Sequence, residues 1–508
     1  MDDDGSAPHR GSGARNAPSG GRLVVASNRL PVVLQRTDEG WDVEPGAGGL
    51  VTALTPVLRD RGGEWVGWPG IVDVDEAGLE APLRRLSGDR GYDLVPVELS
   101  TDERDRYYYG FSNEILWPLL HELPTRYRFD PAYWDAYRRV NGKFADVLHR
   151  RTSDEDFVWV HDYHLMGVAR GLRREGREGP VGYFLHTPFP TRDLFLKLPW
   201  RRELLDGLLA YDLLGFQTVL DRDNFLATAA ALRPELSVAG SGAVMDCRMA
   251  DRSVRVGAFP ISIDFEEFEE LAYSGPVEAK LEDLRRRFEG ASVVLGVDRL
   301  DYTKGIRHQL EAFRTLLHDH AELRGDVSLV QIVVPSREGI QQYSDLKAEI
   351  EQMVGQINGR FSRDGWVPVH YFYRALDRPE LVAYYRRADV ALVTPLKDGM
   401  NLVAKEYCAA QVDGRGSLVL SEFAGAAAQL GEDALTVNPF DVSGTAETVR
   451  RALLMRPDER EARMRRLRRS VREHDIYRWL EGFLEASHGD LERFPDLPRY
   501  IPGAARRG

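Results

Sequence analysis

Only two cysteines, Cys247 and Cys408, occur in 508 residues. That count leaves no room for a disulfide framework, and both are expected to be reduced core residues of a cytoplasmic protein. Long apolar runs are missing as well. Nothing approaches the roughly 18 residues that a membrane span requires, so no membrane partner is expected. Positive charge is in short supply: 67 Lys and Arg stand against 80 Asp and Glu, a net charge of -13. General nucleic-acid binding needs a basic footprint and is excluded on that ground. An anionic ligand would have to be met by a local cluster of cations working against the field of the whole molecule. Neither G-x-G-x-x-G nor G-x-x-x-x-G-K-[ST] occurs, so the dinucleotide fingerprint and the P-loop are both absent. The polar first segment, "MDDDGSAPHRGSGARNAPSGGR", lacks the apolar stretch of a signal peptide and reads as a disordered tail over 1–21.

What the chain does have is alternation. Short apolar, β-branched runs recur between longer stretches of helical period, among them "RLVVASNR" (22–29), "DFVWVHD" (156–162), "VVLGVDR" (293–299), "VSLVQIVVPS" (327–336) and "DVALVTP" (389–395). Several are apolar at nearly every position, as strands buried on both faces must be. Eleven such runs are too many for one compact sheet. The expected class is α/β, with two doubly wound domains and a join near "PISIDFEEFEELAYSG" (260–275). The last run of helical period, "HDIYRWLEGFLEAS" (474–487), is amphipathic and does not by itself say where it docks.

Open α/β sheets bind ligands beyond the carboxyl ends of their strands, and unusual residues collect there. Arg29 ends the first run, and a Gly-rich loop, "GAGGL" (46–50), follows it. Asp162 closes the apolar run within "WVHDYHL". It reads as a carboxylate that orients hydroxyls, because the H-x-x-H around it lacks helical metal-site geometry. His186 follows an apolar run and precedes two prolines in "FLHTPFP". In "VDRLDYTKG", Arg299 offers a planar fork and Lys304 a point charge across a strand-to-helix turn, which suits a diphosphate. Arg337 in "VVPSREG" suggests a second anion site. In "TPLKDGMNLVAKEY", Asp398 would accept bonds from sugar hydroxyls and the free amides from Gly399 to Val403 would face a phosphate. Glu406, about two turns in, would take both hydroxyls of a ribose. Together these describe a nucleotide-sugar site. The acid runs "DDD" (2–4) and "DVD" (73–75) read as solvated, so no metal is expected.

Taken in order, "SNRLPV", "GAGGL", "FSNEILWP", "WVHDYHL", "FLHTPFP", "YDLLGFQT", "VDRLDYTKG", "GMNLVAKEY" and "SEFAGAA" resemble the trehalose-6-phosphate synthase family, glycosyltransferase family 20, from about residue 22 to 485. The resemblance implies a GT-B fold: two Rossmann-like domains facing across a cleft, with the C-terminal helix crossing back to the first. The implied division is an acceptor domain over 22–265, a nucleotide-sugar domain over 266–473, the crossing helix over 474–487 and a tail over 488–508. It implies retaining glucosyl transfer from UDP- or GDP-glucose to glucose 6-phosphate, with no metal and no cofactor. It also implies a cytoplasmic enzyme, as a dimer or tetramer at the level of the family. By resemblance, Gly48, Gly49, Arg299 and Lys304 meet the donor diphosphate, and Asp398, Gly399, Met400 and Asn401 hold the donor glucose. Leu402, Val403, Ala404, Lys405 and Glu406 approach the nucleotide, and Leu376 meets the base. Arg29, Tyr108, Trp117, Asp162 and Arg337 surround the acceptor. His186 sits beside the reacting sugar, and Asp162, His186, Arg299 and Lys304 form the catalytic set. Lys397 and Thr187 depart from the family pattern. Two other readings follow from the same motifs: a relative that couples a cyclitol to a non-sugar partner without cleaving a glycoside, and a non-catalytic sugar-phosphate sensor.

Overall fold

The computed structural model describes residues 21–488, apart from residues 39, 47–48, 89, 124–128, 241 and 338–339. Except for Gly21 and His488, the expected tails lie outside the described residues, and so does Gly48. Two large sheets organise the chain. The first runs, in spatial order, Asp93–Pro96, Glu64–Trp68, Leu23–Arg29, Phe157–His161, Val181–Phe184, Leu213–Phe216, Ser253–Ala258, Val244–Arg248 and Ser237–Ala239. Its first seven strands are parallel and its last two antiparallel. The second sheet is parallel throughout, in the order Val369–Tyr373, Val327–Val334, Ser292–Arg299, Val390–Val393, Ser417–Ser421 and Leu435–Val437. The apolar runs are buried on both faces, as in Phe157–His161, where all five residues are buried. Among the described residues, no helix is long and apolar enough to cross a membrane.

Several strands have no apolar run to announce them. Glu64–Trp68 carries a glutamate that is only 3% exposed. Its carboxylate takes Arg22 at 2.9 Å and Arg151 at 3.1 Å, which makes its burial tolerable. Asp93–Pro96 is four residues long, and Val32–Thr37 with Gly40–Pro45 forms a separate hairpin.

Past Ala258 the chain leaves the first sheet through the buried residues Ile261 and Ile263. Helices Phe265–Ala272 and Gly275–Arg287 follow, packed among the helices of the second sheet. The chain returns beside the same crossing, where the amide of Ile476 donates to Ile263 O at 2.9 Å. Helix Ile476–His488 then lies on the first sheet. The Phe483 ring stacks on Trp159 at 4.5 Å and Trp479 stacks on it at 4.9 Å. Gly182 and Gly215, on adjacent strands, make room for that ring, since a Cβ at either would come within 2.9 Å of it. Arg255 ties down the end of the helix through Ala486 O at 2.6 Å and Ser487 O at 3.0 Å. Both cysteines are free and buried, and burial pushes each thiol up to about 12.

Candidate functional site

The carboxyl ends of both sheets open onto one cleft, and cations from each meet there. Arg29 ends its strand with its guanidinium 4.0 Å from the Trp68 ring and 5.5 Å from the Tyr108 ring. Arg337 follows Val327–Val334 in the left-handed region, at φ 51°. It lies 4.1 Å over the Trp117 ring, within 3.3 Å of Tyr163 Oη on the other side of the cleft and 2.5 Å from Tyr343 Oη. Arg299 also lies over the Trp117 ring, at 5.5 Å. Both Arg299 and Arg337 reach Asp301 Oδ2, at 3.3 and 3.4 Å. Asp301 is completely buried. Burial alone would raise its carboxyl, but Arg337, Arg299 and Lys304 outweigh that and hold it at about 2. Tyr108 feels the same field. Burial works to raise its hydroxyl, yet Arg337, Arg29 and Arg299 keep it below the usual tyrosine range.

Tyr108 and Trp117 reach the cleft from an unexpected element. Residues Arg104–Leu116 form a π-helix, closed where the Trp117 amide bonds to Ser112 O, five residues back. Wider turns of this kind collect at functional sites because they shift which side chains share a face. Here Tyr107 is buried with its hydroxyl 2.8 Å from Asn28 Oδ1, while its neighbour Tyr108 sits among the arginines.

A second constellation adjoins the first. Lys304 Nζ stands 2.5 Å from Asp398 Oδ2. Asp398 Oδ1 accepts the Met400 amide at 3.1 Å, and Asn401 Nδ2 donates to Oδ2 at 3.3 Å. Burial raises the Asp398 carboxyl, and Lys304 more than reverses this. Asn401, at φ 59°, caps helix Leu402–Ala410 by accepting the Ala404 amide at 3.2 Å. A capped helix start leaves first-turn amides for an anion. Gly399 is compelled by space: a Cβ there would stand 2.3 Å from His186 O. Gly49 opens helix Gly49–Arg61 with Leu402 and Met400 packed against it. Glu406 accepts from Tyr385 Oη at 2.8 Å, and burial raises its carboxyl. Leu376 is half-buried beyond the end of Val369–Tyr373.

Asp162 sits at φ 73° with Oδ1 buried and unpartnered. Burial lifts it to about 6, against the pull of neighbouring backbone amides and Arg337. His161 and His164 do not converge. His164 stacks on Tyr108 at 5.9 Å, and His161 Nδ1 pairs with His186 Nε2 at 3.0 Å. Among the described residues, no three His, Cys, Asp or Glu are grouped to hold a metal ion.

Two of the candidate residues have side chains engaged by other parts of the protein. The side chain of Lys405 runs away from the helix start and donates to Ile261 O at 2.6 Å. His186 has its Nε2 on His161 and its Nδ1 3.4 Å from Gln217, so both ring nitrogens face protein groups. Val403 lies half-buried and Ala404 wholly buried, and any part they play in binding falls to their backbone. The residues that pattern reading missed are Asp301, Trp68 and Tyr343. Asp301 in "RLDYTK" caps a short turn through the Thr303 amide at 3.0 Å, and that cap was the available signal.

Two Rossmann-like lobes whose strand ends gather cations, a capped helix start and an acid-lysine pair define a GT-B glycosyltransferase architecture. The profile described as Glycosyltransferase family 20 matches residues 21–488, and the chain belongs to that family. It is 44% identical over 489 residues to a trehalose-6-phosphate synthase of Mycobacterium avium, covering 94% of this chain and 98% of that one. A crystal structure of an alpha,alpha-trehalose-phosphate synthase (UDP-forming) from Burkholderia xenovorans, in complex with glucose-6-phosphate, superposes with a TM-score of 0.83. It is 36% identical and covers 92% of this chain and 100% of its own. An Escherichia coli structure bound with UDP-2-fluoro glucose gives 0.81, also at 36% identity, covering 92% and 99%.

Proposed function

We propose that this chain transfers the glucosyl unit of a nucleotide glucose to the anomeric hydroxyl of glucose 6-phosphate, forming trehalose 6-phosphate with retained configuration. The carrying observation is the convergence of Arg29, Arg299 and Arg337 from two lobes beside the Lys304–Asp398 pair. Arg29 and Arg337, with Tyr108, Trp117 and Asp162, form the acceptor pocket. Arg299 and Lys304, with Gly48 and Gly49, take the donor diphosphate. Asp398 and the backbone from Gly399 to Asn401 take the glucose, the amides that follow take the nucleotide, Glu406 takes the ribose and the backbone of Leu376 takes the base.

Retention proceeds by internal return. The diphosphate leaves on the face that the acceptor attacks, and its oxygen receives the acceptor proton. Arg299 and Lys304 stabilise the charge that grows there, each hydrogen bond to it contributing roughly 1.5–3 kcal/mol. Closure of the cleft keeps water from the donor. Asp162 orients an acceptor hydroxyl through its free Oδ1. The chain divides at residue 265 into acceptor and donor domains, and it works in the cytoplasm as a dimer or tetramer. A UDP-forming relative and one bound with UDP-2-fluoro glucose favour UDP-glucose as the donor, and GDP-glucose is the competitor to test.

A donor panel of UDP-, GDP- and ADP-glucose, each with and without glucose 6-phosphate, tests this reading. Acceptor-dependent release of nucleoside diphosphate is expected, with an α,α-linked disaccharide phosphate by mass and anomeric NMR. Coupling without a glycoside would favour the cyclitol reading, and no release with any donor would favour the sensor.

A further inference from the structure

We propose that Lys405 is a positioning residue: its ammonium pins the donor helix Leu402–Ala410 to the segment that crosses between the lobes, and through that segment to His186. The proposal rests on the donor site described above. Lys405 is 1% exposed and donates to Ile261 O at 2.6 Å. Among the described residues no carboxylate pairs with it. A lone buried ammonium opposes folding, so stability does not account for it. Burial drives its pKa down to about 7.

Ile261 is held from its other side too. Its amide donates to Gln217 Oε1 at 3.0 Å, which turns Gln217 Nε2 toward His186 Nδ1 at 3.4 Å. With the amide so oriented, His186 Nδ1 is the acceptor. Its proton therefore sits on Nε2 and is donated to His161 Nδ1 at 3.0 Å. Burial keeps His186 neutral, lowering it to about 3. The backbone of the same His186 lies against Gly399 in the donor loop. The loop and helix that receive the donor are thus fixed to the first lobe at two points, Gly399 at the front and Lys405 behind.

The test compares wild type with Lys405→Met, which keeps the stem and removes the donor, and with Gln217→Leu, which breaks the chain on the far side of Ile261. Three readouts are needed: melting temperature, kcat and KM for each substrate, and calorimetric affinity for UDP and GDP. Lys405→Met should melt no lower than wild type. It should lose about tenfold in nucleotide affinity and in kcat/KM for the donor, with KM for glucose 6-phosphate unchanged. The double variant should lose little more than the worse single variant, because both cut one chain. Unchanged nucleotide affinity and donor kinetics in Lys405→Met overturn the proposal, as do fully additive losses. If Lys405→Met does not fold, Gln217→Leu decides alone: the proposal stands if its donor constants fall and fails if they hold. Failure of the functional reading would show separately, as wild type binding nucleotide without transferring glucose.

Discussion

Arg299 and Arg337 share a single carboxylate oxygen of Asp301, yet the two guanidiniums differ in exposure, at 41% and 7% of the side chain. In the proposed reaction the more exposed one swings to the diphosphate, while the buried one, clamped by Trp117, Tyr163 and Tyr343, serves as a fixed wall for the acceptor phosphate. Lysine cannot reproduce that clamp, because it lacks the planar fork and the stacking face. Arg337→Lys and Arg29→Ala are therefore expected to raise KM for glucose 6-phosphate by about tenfold or more with kcat held within a few fold. Arg299→Ala should lower kcat itself by about a hundredfold. Steady-state kinetics with each substrate varied in turn will separate the two patterns. Arg29, Arg299, Lys304, Arg337 and Asp398 were legible as candidates because each ends a strand or opens a helix. Asp301 was not, because a lone Asp in a polar turn looks the same whether it faces water or two arginines. The direction of the Lys405 side chain was hidden for a related reason: only the fold shows that its ammonium turns to Ile261 O.

At the scale of elements, the donor helix depends on one residue in the left-handed region. Asn401 supplies the cap to Ala404 and a bond to Asp398. Alanine would lose both and carry the steric cost of that conformation, whereas glycine would lose the bonds without the strain. Asn401→Ala should destabilise by about 2–3 kcal/mol and Asn401→Gly by under about 1 kcal/mol, read as shifts in the urea midpoint at constant slope. Both should weaken donor binding through the freed Asp398 carboxylate. The large parallel strands were visible as apolar runs, because a strand covered on both faces has no polar positions to spare. The edge strand Asp93–Pro96 and its neighbour Glu64–Trp68 were hidden by their brevity and their charged first residues. The π-helix over Arg104–Leu116 was hidden because its turn matches neither of the periods that pattern reading tests.

At the scale of the whole molecule, four histidines are buried among the described residues, His121, His161, His164 and His186, each lowered by burial, His121 to about 4 and His186 to about 3. Below pH 6.5 an unfolded histidine takes a proton that these folded ones refuse. The unfolded state then binds more protons, and each histidine lowers stability as pH falls. Asp162 at about 6 and Asp298 at about 7 act in the opposite sense, since they are protonated in the fold before they would be in the free chain. His164 isolates the effect, because both its nitrogens are buried without partners while its ring stacks on Tyr108. His164→Phe keeps the stack and removes the titration. Its stability relative to wild type should rise by up to about 1.4 kcal/mol for each pH unit below 6.5, measured by urea unfolding at pH 7.5, 6 and 5.

The sequence by itself determined the class of fold and put forward candidates for the site. Burial on both faces forces parallel strands to be apolar, and residues that cannot be apolar collect at their ends. Only the tertiary structure decided which partners those residues take. Asp301 under two arginines, Trp159 beneath the returning helix and Lys405 on the crossing segment are contacts whose partners lie in other elements, most of them far off in the chain. No local period or spacing encodes them, because the direction of a side chain is set by what packs against it.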